Sequence, residues 1–91
     1  MDILKGDDRF YIENENGEVV GYISYQYESA DMIVANSTFV DPSQRGSGVA
    51  KKLLDRLATF AREENLKVRP LCSYVVKAFE RYKEYDDIKH Q

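Results

Sequence analysis

The chain has a single cysteine, Cys72, and therefore closes no internal disulfide. It has no tryptophan and one histidine, His90, which sits in a polar C-terminal stretch with no partner residue nearby in sequence and is given no role. No apolar run approaches the length of a transmembrane helix, and the N-terminal MDILKGDDRF lacks the basic-then-apolar order of a signal peptide. A soluble cytoplasmic protein with no membrane partner is expected. Basic residues are too few for broad attraction to nucleic acid, since 13 lysines and arginines face 16 acids for a formal charge of −3. Any bound anion has to be held locally. No metal site, internal repeat or low-complexity segment is expected from the residues.

What is present is enough for one small domain over residues 1–91. Apolar residues make up 43%, with seven tyrosines and four phenylalanines, which is the composition of a globular chain. A chain of this length buries only a little over ~60% of its unfolded surface, so the core is small. Arg9 to Ile12 is β-prone, and EVVGYISYQYE alternates Val19, Gly21, Ile23, Tyr25 and Tyr27 against Val20, Tyr22, Ser24 and Gln26. Between them, Asn16-Gly17 supplies a hairpin turn. MIVANSTFV makes a third strand, placing Ile33, Ala35, Ser37 and Phe39 on one face and Met32, Val34, Asn36, Thr38 and Val40 on the other, and Asp41-Pro42 ends it.

A helix follows from about Gly48 to Glu64. Its core face is Ala50, Leu53, Leu54, Leu57, Ala58 and Ala61; Lys52, Arg56 and Glu63 point largely away, and Asn65 is the stop. LKVRPLC reads as a short strand, and SYVVKAFERYKEY as a second helix carrying Val75, Val76, Phe79 and Tyr82. The tail DDIKHQ, residues 86–91, is expected to fray. The order β-β-β-α-β-α defines an α/β fold of the mixed-sheet, α+β kind, with a glycine loop between the third strand and the first helix.

That loop carries the chemistry. A helix N-terminus presents unsatisfied N–H groups and a partial positive charge, and Gly46 and Gly48 let the chain turn tightly and a ligand approach closely. Lys51 and Lys52 lie in the first turn, where the helix dipole disfavours cations and a bound polyanion would offset the conflict. The bland alternative is a turn with Ser47 as N-cap. The Walker pattern is absent, and the dinucleotide fingerprint fails at Lys51.

Arg45-Gly46-Ser47-Gly48-Val49-Ala50, after a strand ending in Phe39-Val40 and before KKLL, resembles the Arg/Gln-x-x-Gly-x-Gly/Ala motif of the GNAT superfamily of N-acetyltransferases. Over nearly the whole chain, Ser37-Thr38-Phe39-Val40, the glycine loop and CSYVVKAFERYKEYDDI are similar to a subfamily of very short GNAT-like acetyl-CoA-binding proteins. The resemblance implies a GNAT-like fold and acetyl-CoA, held by Phe39, Val40, Gln44, Arg45, Gly46, Ser47, Gly48, Val49, Ala50, Lys51, Lys52 and Cys72. It also implies that the strand before the loop splays from its neighbour to admit the pantetheine arm. Full-size relatives add an N-terminal strand and helices at the acceptor side, so an open cleft is expected here.

Acetyl transfer to an amine needs a polarised thioester carbonyl, a free amine and a proton for the leaving thiolate. Backbone amides around Phe39 and Val40 suit the first need. The subfamily usually has histidine before the strand threonine, whereas this chain has Ser37, which is no free general base near neutral pH. Ser37 either positions a water or the acyl group, or is a plain polar residue near a sheet opening. Cys72 precedes a helix that lowers its pKa, and the resemblance places it toward the thioester, where an acyl-cysteine is conceivable; the alternative is a buried small apolar residue. Tyr82, on the last helix, is either a proton donor to the CoA thiolate or a core-edge tyrosine, and Tyr74 is equally ambiguous. The leading expectation is an N-acetyltransferase acting on an unidentified small or protein amine. The rivals are a non-catalytic acyl-CoA-binding module and a domain whose glycines only turn the chain. A monomer is expected.

Overall fold

The computed structural model describes residues 2–90. Strand β2 (Arg9–Glu13) returns antiparallel along β3 (Val19–Ser29) through a turn held by Asn14, whose side-chain oxygen accepts the amides of Asn16 and Glu18 while Gly17 supplies φ 80°. Strand β4 (Met32–Val40) pairs antiparallel with β3, and β5 (Lys67–Pro70) lies parallel to β4. A two-residue strand, β1 (Leu4–Lys5), pairs with β2 and was too short to read from alternation. The sheet therefore has five strands in the order β1-β2-β3-β4-β5, one more than the sequence order suggested.

Helix α1 (Val49–Glu63) crosses from β4 to β5, and α2 (Ser73–Arg81) follows β5. Asn65, at φ 57°, ends α1 as anticipated. Leu53, Leu54, Leu57, Ala58, Phe60 and Ala61 of α1 and Val75, Ala78 and Phe79 of α2 join Phe10, Ile23, Tyr25, Ile33, Ala35 and Val68 of the sheet in one buried cluster. Both helices thus cover the same sheet face. Arg56 does not point away from this packing: its guanidinium lies 4.7 Å from the Phe10 ring centroid.

The β3–β4 register contains the correction that matters most for the site. Ser24 opposes Ser37, but Tyr25 opposes Ala35, so Asn36 is an extra, bulged residue in β4. One extra residue reverses the alternation beyond it. Thr38, opposite the buried Ile23, shares the helix-covered face with Ala35 and Ile33, whereas Ser37 and Phe39 turn to the other face. The expected grouping of Ser37 and Phe39 with Ala35 fails for this reason.

The tail does not fray within the described residues. After a 3-10 turn at Lys83–Tyr85, the Val68 amide donates to the Ile88 carbonyl at 2.7 Å and the His90 amide to the Val68 carbonyl at 2.9 Å. Tyr85 and Ile88 are buried, and Arg62 pairs with Asp87 at 2.8 Å. Burying one isoleucine contributes roughly 1.5–3 kcal/mol, enough to dock a short segment. The remaining tail residue, Gln91, lies outside the described residues.

Candidate active site

Gly46 and Gly48 adopt φ 87° and 76°, and a Cβ at either would meet no atom within 4 Å. Their requirement is conformational, because left-handed backbone is costly for other L-residues and open space is available. Gly48 occupies the N-cap of α1 without a side chain to cap it. Ser47 does not fill that role, since its hydroxyl donates to the Gln44 carbonyl at 2.6 Å. Among the described residues, the amides of Val49, Ala50 and Lys51 consequently meet no protein acceptor. Uncapped donors at the positive end of a 15-residue helix form a place for an anion.

These amides border a cavity of about 280 Å³ lined by Val40, Gln44, Arg45, Gly46, Gly48, Val49, Ala50, Lys51 and Tyr74. It lies between the end of β4, the start of α1 and the first turn of α2. A second hollow of about 200 Å³ on the loop's other flank is lined by Ser47 and Lys52 together with Ile3, Ile12, Gln44, Val49 and Leu53. The first is the better anion site, because it contains both positive-φ glycines and faces the second helix.

Pairing between β4 and β5 ends at Ala35 and Pro70. The amides of Leu71 and Cys72 both donate to the Ala35 carbonyl at 3.1 Å, after which the chain turns into α2 and leaves Asn36 to Val40 without a strand partner on that side. The two parallel strands thus part beside the cavity. Cys72 is the N-cap of α2, half-buried, with its sulfur 3.5 Å from the Thr38 hydroxyl across the gap. Burial pushes its thiol up, but the Thr38 hydroxyl and the amides of Val75, Tyr74 and Thr38 together outweigh burial and hold the thiol below its ordinary value.

Residues 9–88 match the GCN5-related N-acetyl-transferase family. The chain belongs to that family. A GCN5-like protein from Staphylococcus aureus, solved by NMR, is 31% identical with a TM-score of 0.83, the match covering 98% of this chain and 87% of that one. Rv2747 from Mycobacterium tuberculosis, crystallised in complex with CoA, is 28% identical with a TM-score of 0.57 over 67% of this chain and 39% of its own. Ard1 from Thermoplasma volcanium is 27% identical with a TM-score of 0.65, over 87% of this chain and 54% of that one. No curated protein matches.

Within this small GCN5-related chain, the anticipated cofactor residues divide by geometry. Val40, Gln44 to Gly46 and Gly48 to Lys51 line the larger cavity, Ser47 and Lys52 line the smaller one, and the Phe39 side chain lies on the opposite sheet face, 38% exposed. The Lys51 ammonium is engaged by protein partners, 2.8 Å from Glu84 and 3.1 Å from Asp55, and the bonds to Glu84, Tyr85 and Asp55 raise its pKa. These two acids already offset the Lys51 charge at the α1 N-terminus. Arg45 turns back, its Nε donating to the Val40 carbonyl at 3.3 Å.

Of the anticipated catalytic residues, Cys72 faces the strand opening and Ser37 does not face Cys72. Tyr82 ends α2 with its ring 4.8 Å from the Lys51 ammonium and 5.3 Å from the Arg81 guanidinium. Tyr74 gains most from the structure. It lines the cavity, and burial followed by the charges of Tyr82 and Asp55 raises its phenol, keeping it protonated. Sequence periodicity leaves it ambiguous; its position in the first turn of α2, two residues after Cys72, is the available signal. Among the described residues, no group of three or more His, Cys, Asp or Glu side chains forms a metal site. No helix there is long and apolar enough to cross a membrane.

Proposed function

We propose that the chain binds acetyl-CoA in the cavity between α1 and α2 and transfers the acetyl group to an amine. The observation that carries this reading is the uncapped amide turn of Val49 to Lys51, opening beside the place where β4 and β5 part. In this reading the loop amides receive the pyrophosphate, and Gly46 and Gly48 permit its close approach. Backbone amides near Phe39 and Val40 stabilise the oxyanion that develops on the thioester carbonyl. The Cys72 thiolate attacks that carbonyl, the carbon–sulfur bond to CoA breaks, and Tyr74 or Tyr82 gives the departing thiolate its proton. The incoming amine then displaces the Cys72 sulfur from the acetyl carbon and releases a proton.

Titration of isotopically labelled protein with acetyl-CoA and with CoA tests the binding step. Saturable amide shifts from Gln44 to Lys52, at Phe39-Val40 and around Cys72 are expected, and their absence at millimolar ligand overturns the reading. Mass spectrometry after mixing with acetyl-CoA should detect one acetyl group on Cys72, absent in Cys72→Ala. A second reading, a CoA-binding module without turnover, is favoured by one observation: Ser37 replaces the expected base and faces away from Cys72. Loop shifts without acetyl-cysteine, CoA release or acetylated amine would establish it.

A further inference from the structure

The sheet face opposite the helices carries two rows running across the strands. In one, Tyr11 on β2 opposes Tyr22 on β3, which opposes Phe39 on β4; in the next, Arg9 opposes Ser24, which opposes Ser37. The rows are physically coupled. The Arg9 guanidinium lies 5.0 Å from the Tyr11 ring centroid and 5.5 Å from that of Tyr22, and the Tyr22 and Phe39 rings are 5.6 Å apart. Ser24 donates to the Asn36 side chain at 2.6 Å, so the bulge next to the strand opening fixes the polar row.

Charge on this face is unevenly answered. Arg69 is paired with Glu28 at 2.7 Å, whereas the Arg9 guanidinium has no hydrogen-bond or acidic partner among the described residues. A guanidinium held against two neighbouring rings has its orientation limited while donors remain for a carboxylate or phosphate oxygen pair. Adjacent strands lie ~4.8 Å apart, so the Arg9 guanidinium, over the rings of Tyr11 on β2 and Tyr22 on β3, sits about two strand spacings, roughly 10 Å, from the gap between β4 and β5, and an anion on its gap side sits nearer by the length of one ion pair.

We infer that this face is the acceptor platform, and that it selects amines carrying an anionic group, with Arg9 binding the anion and Tyr22 and Phe39 supporting the apolar body between anion and amine. The inference rests on the acetyl-transfer reading for its purpose, but the binding itself is separable from it. An amine entering the strand gap from this side would meet a thioester held on the helix-covered side, because β4 and β5 do not pair beyond Ala35 and Pro70. The ε-amine and α-carboxylate of an extended lysine have the required separation. An α-amino acid whose only amine is beside its carboxylate is too short.

The test uses the full chain and a matched pair of probes, Nα-benzoyl-lysine and Nα-benzoyl-lysinamide, which differ only in the carboxylate. Binding is followed by shifts of the Arg9 side-chain Nε–H and the Tyr22 and Phe39 ring signals, with and without acetyl-CoA. The carboxylate probe should bind on the order of tenfold more tightly, the contribution of one charge-assisted contact at a half-exposed site. Arg9→Gln should reduce it to the amide's affinity without altering the amide, and Arg9→Lys should keep part of the preference. Equal binding of both probes by the wild-type chain, or an equal loss in Arg9→Gln for both, overturns the inference and leaves Arg9 as a structural stack. Loop shifts with acetyl-CoA report the cofactor reading independently, so carboxylate selectivity without loop shifts would remove that reading while preserving this one.

Discussion

Thr38 and Ser37 are neighbours on opposite faces of the sheet, and the bulge at Asn36 decides that Thr38, not Ser37, is the one on the helix-covered face. The consequence is chemical, because only Thr38 has a hydroxyl within reach of the Cys72 sulfur. Thr38→Val removes that donor while nearly conserving shape, so the thiol should titrate at higher pH. Measuring alkylation rate against pH should show the profile displaced upward in Thr38→Val and unmoved in Ser37→Ala. An unmoved profile in Thr38→Val would mean that the backbone amides of Val75, Tyr74 and residue 38 alone hold the thiol down. The sequence displayed the chemically distinctive residues, Cys72 and the glycines, because their types are scarce in this chain. It did not display which of two adjacent hydroxyl residues faces the thiol, since alternation counts residues and a bulge breaks the count.

At the scale of elements, α1 has two ends under different demands. Its N-terminus is uncapped, and the left-handed Gly48 keeps the amides open. Gly48→Ala should cost about 1–2 kcal/mol through backbone strain. Gly48→Glu should bear a similar strain and also abolish acetyl-CoA binding, since a carboxylate would occupy the anion's place. Thermal unfolding and the amide titration, measured on both variants, distinguish a phosphate site from a simple turn. Binding that persists in Gly48→Glu contradicts the anion assignment.

The helical periodicity of α1 was legible from Leu53, Leu54 and Leu57, as was its stop at Asn65. The coupling of Lys51 to Glu84 and of Tyr85 to Asp55 was not, because it depends on how the last turn docks. Burial and the bond to Asp55 raise the Tyr85 phenol, while bonds to Glu84 and Tyr85 raise Lys51. Both groups hold their protons more tightly when folded, so their stabilisation is complete below about pH 10 and lost as pH rises through the folded values. Tyr85→Phe should therefore flatten the alkaline fall in melting temperature, besides losing about 1 kcal/mol for the missing hydrogen bond at neutral pH. An unchanged alkaline slope in that variant would assign the fall to other groups.

Across the whole molecule, two helices cover one sheet face and the C-terminal segment covers one sheet edge. The unprotected edge of a parallel strand is a template for pairing with another chain, and β5 would present it if residues 86–90 were released. A polar reading of DDIKHQ concealed this role, because one apolar residue, Ile88, is enough when the backbone of Val68 supplies two hydrogen bonds and Arg62 grips Asp87. Composition reports what a segment is made of, whereas docking depends on what it meets. Ile88→Ala should cost ~2–4 kcal/mol, near the range for truncating a buried isoleucine. Truncation after Tyr85 should go further, combining lower stability with concentration-dependent association, as judged by light scattering over a dilution series. If the truncated chain stays monomeric and melts as the full chain does, the edge is protected by something other than its tail. Association reversed by a synthetic peptide of residues 86–91 would locate the interface on β5 itself, since the peptide and a second chain would compete for the same Val68 backbone groups.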